Sequence, residues 1–311
     1  MPQSKTVVSQ VKRPRRVIDG LLLLDKPQGM SSNQALQRVK HLLQAAKAGH
    51  TGSLDPLATG MLPICLGEAT KFAGRGLEAH KTYEVEMRLG YVSTTLDAEG
   101  EIRPGNLLGP MQANDIETVL AAFRGEQYQT PPMYSALKQQ GRPLYELARQ
   151  GIEVERAPRR VCIDQLELRQ RQEDHWILRV SCSKGTYIRS LVDDLGQRLG
   201  CGAYVVALRR LQVGCWTQMH SLNTVAEAVA QETLAALLLP VSALVQDCKK
   251  LELCEAIAYN FRQGQSVLLH ESPEVLGDPG ERAVFVNGAF IGMGTLSEQQ
   301  RLSPLRLLAV H

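Results

Sequence analysis

The sequence predicts a mixed α/β fold with a small β-rich unit at its C-terminal end. Three observations carry this. A short apolar run, Gly20 to Leu24, is closed by Asp25-Lys26-Pro27 and followed by a helical stripe. A later strand-like alternation, Trp176 to Cys182, leads into a second helical stripe. Beyond about residue 250 only short β-like runs remain.

In order along the chain, Gly20 to Leu24 reads as a buried strand entering a turn. Ser31, Ser32 or Asn33 caps a helix whose apolar stripe is Leu36, Val39 and Leu43, ending before Gly49. Thr82 to Leu89 alternates, with Tyr83, Val85, Met87 and Leu89 on one face. Ile102 to Gly109 reads as loop, and Ala113 to Phe123 as a helix with Ile116, Val119, Leu120 and Phe123 on its apolar side.

The segment from Tyr128 to Arg160 interleaves Tyr134 and Tyr145 with Lys138, Arg142, Arg149, Arg156, Arg159 and Arg160. That pattern suits single-stranded nucleic acid, which is held by stacking plus phosphate contact. It equally suits a polar surface excursion with a short helix from Leu144 to Gln150. After the strand Trp176 to Cys182 and the turn Lys184-Gly185-Thr186-Tyr187, a helix places Ile188, Leu191, Leu195 and Leu199 at helical spacing and stops at Gly200. Arg189 falls in its first turn, beside the apolar face. The C-terminal runs are Ser266 to Leu269, Ala283 to Val286, Ala289 to Gly294 across an Asn287-Gly288 turn of type I′ character, and Leu305 to Val310.

Composition narrows the class. The chain has 311 residues, 44% hydrophobic and 22% charged, with a formal net charge of +3, so overall charge alone does not point to nucleic acid. The cations concentrate at the start: Lys5, Lys12, Arg13, Arg15 and Arg16 all precede the first acid, Asp19. Residues 1–17 are expected to form a basic, mobile arm, either a solvated tail or an RNA contact. Seven scattered cysteines with no C-x-x-C pair read as reduced thiols, not as disulfides or a zinc site. No apolar run approaches the ~20 residues needed to span a bilayer, and a cytoplasmic, soluble protein is expected.

The stretch most loaded with chemical potential is Gly49 to Pro63, in which a single carboxylate, Asp55, is framed by glycines and followed by Pro56. Proline steers the preceding residue out of the α region, so Asp55 should lie on an ordered, non-helical loop. An Asp-Pro pair is often no more than a turn starter. Here, however, Leu54, Leu57, Met61, Leu62, Ile64 and Leu66 surround it, and the nearest other acids are Asp25 and Glu68. A carboxylate in apolar company needs a partner or a task.

The run from His50 to Phe72, ending Gly67-Glu68-Ala69-Thr70-Lys71-Phe72, closely resembles the catalytic motif of TruB-type tRNA pseudouridine synthases. The resemblance continues in Leu22 to Ser32, Lys81-Thr82-Tyr83-Glu84-Val85, Lys184 to Arg189 and Leu208-Arg209-Arg210-Leu211, covering most of the chain from about residue 18. It implies a mixed, largely antiparallel sheet flanked by helices. It also implies a catalytic domain over 18–250 with an RNA-contacting insertion near 128–160. A PUA-like RNA-binding domain over 251–311 is a weaker likeness. Ser53 stands where alanine is common in the family motif.

What the resemblance implies chemically is isomerisation of the T-loop uridine of tRNA, position 55, to pseudouridine, without a cofactor or metal and with the tRNA T arm as partner. No obligate protein partner and no membrane enter. The glycosidic bond is cleaved, the uracil turned, and the ring rejoined through C5. One carboxylate suits this, because no water has to be activated, whereas glycoside hydrolysis ordinarily uses two. Asp55 would act on the sugar as nucleophile at C1′ or as a base. By the same resemblance Arg189 pairs with Asp55, Tyr83 stacks on the target base and is a candidate to move the C5 proton, Leu208 lines the pocket, and His50 fills the gap left by the extruded uridine. Two rivals are a non-catalytic RNA-binding or tRNA-folding protein and a nucleoside-hydrolase type of enzyme. The first leaves Asp55 without a use, and the second lacks a metal-binding acid cluster or a phosphate-cradling G-x-x-x-x-G-K motif.

Overall fold

A computed structural model describes residues 15–135, 137–139, 141–269 and 277–309. The strand β1 (Gly20–Lys26) leads into helix α1 (Ser32–Leu43). Ser31 caps that helix: its Oγ accepts from Gln34 N at 3.2 Å and the Gln34 carboxamide accepts from Ser31 N at 2.8 Å. The short β2 (Ala48–His50) and the long β3 (Thr59–Leu66) flank the Asp55 loop. A 3₁₀ turn, Gly67–Phe72, runs into α2 (Ala73–Glu78), after which β4 (Lys81–Leu89) begins.

The next stretch departs from expectation. Ile102–Pro104 (β6) pairs with Tyr91–Ser93 (β5) as a small hairpin where a loop was expected. All three residues of β6 are exposed, so the strand has no buried face to leave an alternating signature. Helix α3 (Ala113–Ala121) and β7 (Gly125–Gln129) follow, then a two-stranded ribbon of β8 (Lys138–Gln139) and β9 (Arg142–Pro143), and α4 (Leu144–Arg149). The 14-residue β10 (Arg159–Gln172) and β11 (His175–Cys182) form a hairpin. Helix α5 (Ile188–Arg198), β12 (Ala203–Val213), α6 (Leu222–Ala230) and β13 (Leu238–Leu239) complete this part.

Nine strands make one sheet in the order β13-β1-β3-β12-β4-β11-β10-β7, with β2 on β3. Every pairing is antiparallel except β3 with β12. The mixed, largely antiparallel sheet is therefore as expected. The continuous apolar run of β1 has a simple cause: Leu22 and Leu24 pack into the main core with α1 and α5, while Leu21 and Leu23 pack into a second core on the opposite face.

That second core is shared with the C-terminal strands. A five-stranded sheet, ordered β14 (Lys249–Glu252), β16 (Gly280–Val286), β17 (Ala289–Leu296), β18 (Arg301–Leu307) and β15 (Val267–Leu268), carries helix α7 (Glu255–Arg262). Asn287 (φ 49°) and Gly288 (φ 74°) both take positive φ, as a type I′ turn demands. The last strand lies four residues earlier than Leu305 to Val310, with residues 310–311 outside the described part. Pro304 sits beside a register irregularity in its pairing with β17, which is how a strand tolerates proline and why propensity misplaced it. Ala283 and Met293 join Leu21, Cys65, Phe72 and Val245 in the second core, and Phe290 meets Phe72 edge-on at 5.5 Å.

Of the basic arm, residues 1–14 lie outside the described residues. Arg16 is tied down, its N–H donating to Gln44 O at 2.7 Å. Among the described residues no helix is long and apolar enough to cross a membrane.

Candidate active site

The loop between β2 and β3 is held along its whole length. Thr51 N donates to Pro63 O at 3.1 Å. Ser32 Oγ, buried at the start of α1, accepts from Leu54 N at 2.7 Å and donates to Leu54 O at 3.0 Å. Ala58 N donates to Asp55 O at 3.1 Å, so Asp55 does open a turn with Pro56 second, as its sequence suggests. Two buried cations complete the frame. Lys26 Nζ reaches Pro27 O (2.9 Å), Met30 O (2.7 Å) and Pro56 O (3.5 Å). Arg210 donates to Met61 O (2.6 Å) and to the carbonyls of Gly52 and Ser53 (3.4 Å each).

The parallel pairing of β3 with β12 sets where the loop ends. Gly60, at φ 97°, faces Arg210 so closely that a Cβ there would lie 2.2 Å from Arg210 O. Only glycine allows both the conformation and the approach.

Arg189 enters from α5. Its Nε is 2.9 Å from Asp55 Oδ2, although the N–H is not aligned for a regular hydrogen bond. One terminal nitrogen lies 3.3 Å from Asp97 Oδ2 and 3.0 Å from Thr95 O, and the other 2.7 Å from Tyr134 O. The residue lies in the first turn of α5 beside the apolar stripe, as expected, and is only 4% exposed. A guanidinium that satisfies four groups on three segments can be buried, which apolar periodicity alone does not anticipate.

Asp55 sits where two concavities meet. The first, about 390 Å³, is lined by Asp55, Arg189, Tyr83, Leu208, Lys81 and Leu77 among others. The second, about 500 Å³, shares Ser53, Asp55, Ser135 and Arg189, and adds His50, Asp97, Glu99, Tyr134, Tyr145 and Arg149. Burial pushes the Asp55 carboxyl above its ordinary value and Asp97 adds to this, while Arg189 and Lys26 pull it back. Its side chain is still 41% exposed, so the anion is reachable. Tyr83 and Arg210 are cross-strand neighbours, and burial keeps the Tyr83 phenol above its usual range with Arg210 opposing. His50 is held below its usual value by burial and Arg210, and its Nδ1 is buried without a hydrogen-bond partner among the described residues.

Residues 40–188 match the model of the TruB family pseudouridylate synthase N-terminal domain. Residues 189–246 match the tRNA pseudouridylate synthase B C-terminal domain, and 250–308 the pseudouridine synthase II TruB C-terminal model. The protein named tRNA pseudouridine synthase B of Nitrosococcus oceani is 49% identical over 307 residues, spanning 96% of this chain and 98% of its own. That of Stutzerimonas stutzeri is 50% identical over 306 residues, 97% and 99%. The chain belongs to the TruB family.

Like other TruB family members it is a pseudouridine synthase, an isomerase. In fold it is similar to the solved Cbf5-Nop10-Gar1 complex, with a TM-score of 0.70 and 24% identity over 94% of this chain and 84% of that one. It is equally similar to an H/ACA RNP bound to a substrate RNA containing 2'-deoxyuridine, with a TM-score of 0.69 and 21% identity over 94% and 85%.

Of the residues singled out in the sequence, Asp55, Tyr83, Arg189 and Leu208 line one chamber, and His50 lines the adjoining one. The 128–160 segment contributes Tyr134, Tyr145 and Arg149 to that second space. It is tied to α5 by a reciprocal pair, Gln129 Nε2 to Tyr187 O (3.0 Å) and Tyr187 N to Gln129 Oε1 (2.8 Å). Sequence reasoning missed Asp97, which is 2% exposed and lies in Asp97-Ala98-Glu99-Gly100, a stretch that reads as an ordinary polar turn. It also assigned nothing to Lys26, Lys81 and Arg210, although all three stand inside the motif stretches. Among the described residues no three His, Cys, Asp or Glu side chains gather as a metal-binding set.

Proposed function

We propose that this chain converts the T-loop uridine at position 55 of tRNA into pseudouridine, with Asp55 as the residue that attacks C1′ or removes a proton to open the sugar route. The observation that carries the reading is the Asp55–Arg189 pair, a reachable carboxylate beside a buried guanidinium at the junction of two concavities. The name shared by the relatives, tRNA pseudouridine synthase B, supports tRNA as the substrate class.

In this reading the uridine enters the chamber of Tyr83 and Leu208, with the Tyr83 ring against its face. Extrusion from a folded loop costs a few kcal/mol. His50, which lines the second concavity and whose Nδ1 has no hydrogen-bond partner among the described residues, fills the vacancy by stacking in this reading. Asp55 breaks the bond from C1′ to N1, leaving an ester at C1′ if it attacks or a glycal if it removes the C2′ proton. The freed uracil anion turns within the chamber, and C5 bonds to C1′ as the ester bond breaks or as the proton returns to C2′. Loss of the C5 proton and uptake of one at N1 then restore the conjugated ring. Tyr134, Tyr145 and Arg149 receive neighbouring nucleotides by stacking and phosphate contact.

We assign the chemistry to 18–250 and additional RNA binding to 251–311, and place the enzyme in the cytoplasm, where its substrate resides. The test is incubation of the protein with unmodified tRNA transcript followed by mapping of pseudouridine. Product at the T-loop uridine, abolished by Asp55→Asn with tRNA affinity kept within severalfold, is the expected result. Absence of product at that site, or turnover by Asp55→Asn within about tenfold of wild type, removes the reading.

A further inference from the structure

Lys81 opens β4 two residues before Tyr83 and lines the same chamber, yet the reaction above gives it no task. It is 7% exposed. Its Nζ lies 2.6 Å from Leu77 O, 2.5 Å from Ala79 O and 3.3 Å from Gly76 O. An ammonium has three N–H groups, and here all three are taken by main-chain carbonyls, leaving none for uracil or ribose. A direct catalytic contact is therefore excluded while this arrangement holds. The three carbonyls belong to the end of α2 and the residue beyond it, where helix acceptors lack partners of their own.

The corner that Lys81 grips touches the site twice. Gly76 is pressed against Thr51, the first residue of the Asp55 loop, so that a Cβ on Gly76 would meet the Thr51 side chain at 2.7 Å. Leu77, 45% exposed, projects into the chamber next to Gly52. We propose that Lys81 is a positioning residue: its grip on Gly76, Leu77 and Ala79 keeps Leu77 as a wall of the uridine chamber and braces the Thr51 end of the Asp55 loop. The role rests on the pseudouridine-forming reading.

The grip depends on charge, because a neutral amine offers two donors and weaker bonds. Burial brings Lys81 down to about 8. Arg210 from β12 and Lys184 beyond β11 act in the same direction, whereas Cys182 from β11 and Glu78 from α2 oppose it. Across the chamber stand Asp55 and Arg189.

The experiment is single-turnover pseudouridine formation at saturating tRNA by wild type, Lys81→Met and Leu77→Ala, with tRNA affinity and Tm measured alongside. Lys81→Met is expected to lose at least tenfold in rate with affinity within threefold of wild type. Wild type is expected to lose rate between pH 7 and 9 and Lys81→Met to lack that fall, a signature that a purely structural role does not produce. Leu77→Ala, at a solvent-exposed position, is expected to fold and to show the same rate loss at unchanged affinity. If Lys81→Met is folded and matches wild type, the functional reading stands and the positioning role falls. If Lys81→Met does not fold, a wild-type rate for Leu77→Ala overturns the role just as well. If wild type itself makes no pseudouridine, the functional reading falls and takes this role with it.

Discussion

Arg189 meets the carboxylate of Asp55 with its Nε at 2.9 Å while its two terminal nitrogens are committed to Asp97, Thr95 and Tyr134. The guanidinium thus ties the Asp55 loop, the Thr95–Asp97 turn and the 128–160 segment to one point. Lysine keeps the charge but has neither the planar fork nor enough donors. Arg189→Lys is expected to lower the single-turnover rate by at least ~100-fold, on the ~3 kcal/mol scale of a positioning and electrostatic contact. Full activity in the Lys variant would reduce Arg189 to an interchangeable cation.

Asp55 has a carboxyl raised by burial and by Asp97. The acid limb of the rate profile is therefore expected above the ordinary 3.8 of an aspartate. Asp97→Asn removes a negative neighbour and leaves Arg189 to Asp55, and both changes move that limb to lower pH. A pH–rate series on the two proteins checks it; a limb that stays or rises contradicts the pairing.

The same shift has a consequence for stability. A carboxyl raised in the folded state binds protons more readily folded than unfolded, so stability falls as pH rises through that window and the deficit persists at neutral pH. Asp55→Asn is expected to raise Tm at pH 7 while abolishing turnover, a cost of function carried in the fold. A lowered Tm would mean that Asp55 is held as a structural anion.

Gly60→Ala puts a methyl group 2.2 Å from Arg210 O at φ 97°. The β3–β12 pairing has to open to admit it, at roughly 2–3 kcal/mol or more. Thermal or denaturant unfolding of the variant should show this loss together with loss of turnover, since Arg210 holds the carbonyls of Gly52 and Ser53.

Lys26 and Lys81 are both brought down by burial to about 8 from 10.5. Above pH 8 the unfolded chain binds more protons at these positions than the folded one, so their contribution to stability grows as pH rises. Buried Cys65 and Cys182, pushed up to about 12 from 9.0, act oppositely once unfolded thiols begin to ionise near pH 9. Denaturant midpoints compared at pH 8 and 9 should therefore rise for wild type and rise less for Lys26→Met. Equal slopes would show that Lys26 keeps an ordinary affinity for its proton.

Much of this protein is written in short-range pattern. The Ser31 cap and α1, the alternation of Tyr83 to Leu89, the stop of α5 at Gly200 and the Asn287-Gly288 turn each follow from residues within one or two turns of one another, because caps, periodicity and positive φ are local demands. Asp55 stood out for the same reason, as a lone acid between glycines in an apolar run. Tertiary structure decided what lies across long separations. Asp97 comes to Arg189 from 92 residues away and Arg210 reaches Ser53 from 157. Lys26 and Lys81 are buried because main-chain carbonyls of turns and helix ends converge on them. Long strands such as β10 show mostly polar residues and owe their existence to pairing with β7 and β11. Burial of a charge depends on how many partners the whole fold brings to it, and that number exists only once the chain has closed.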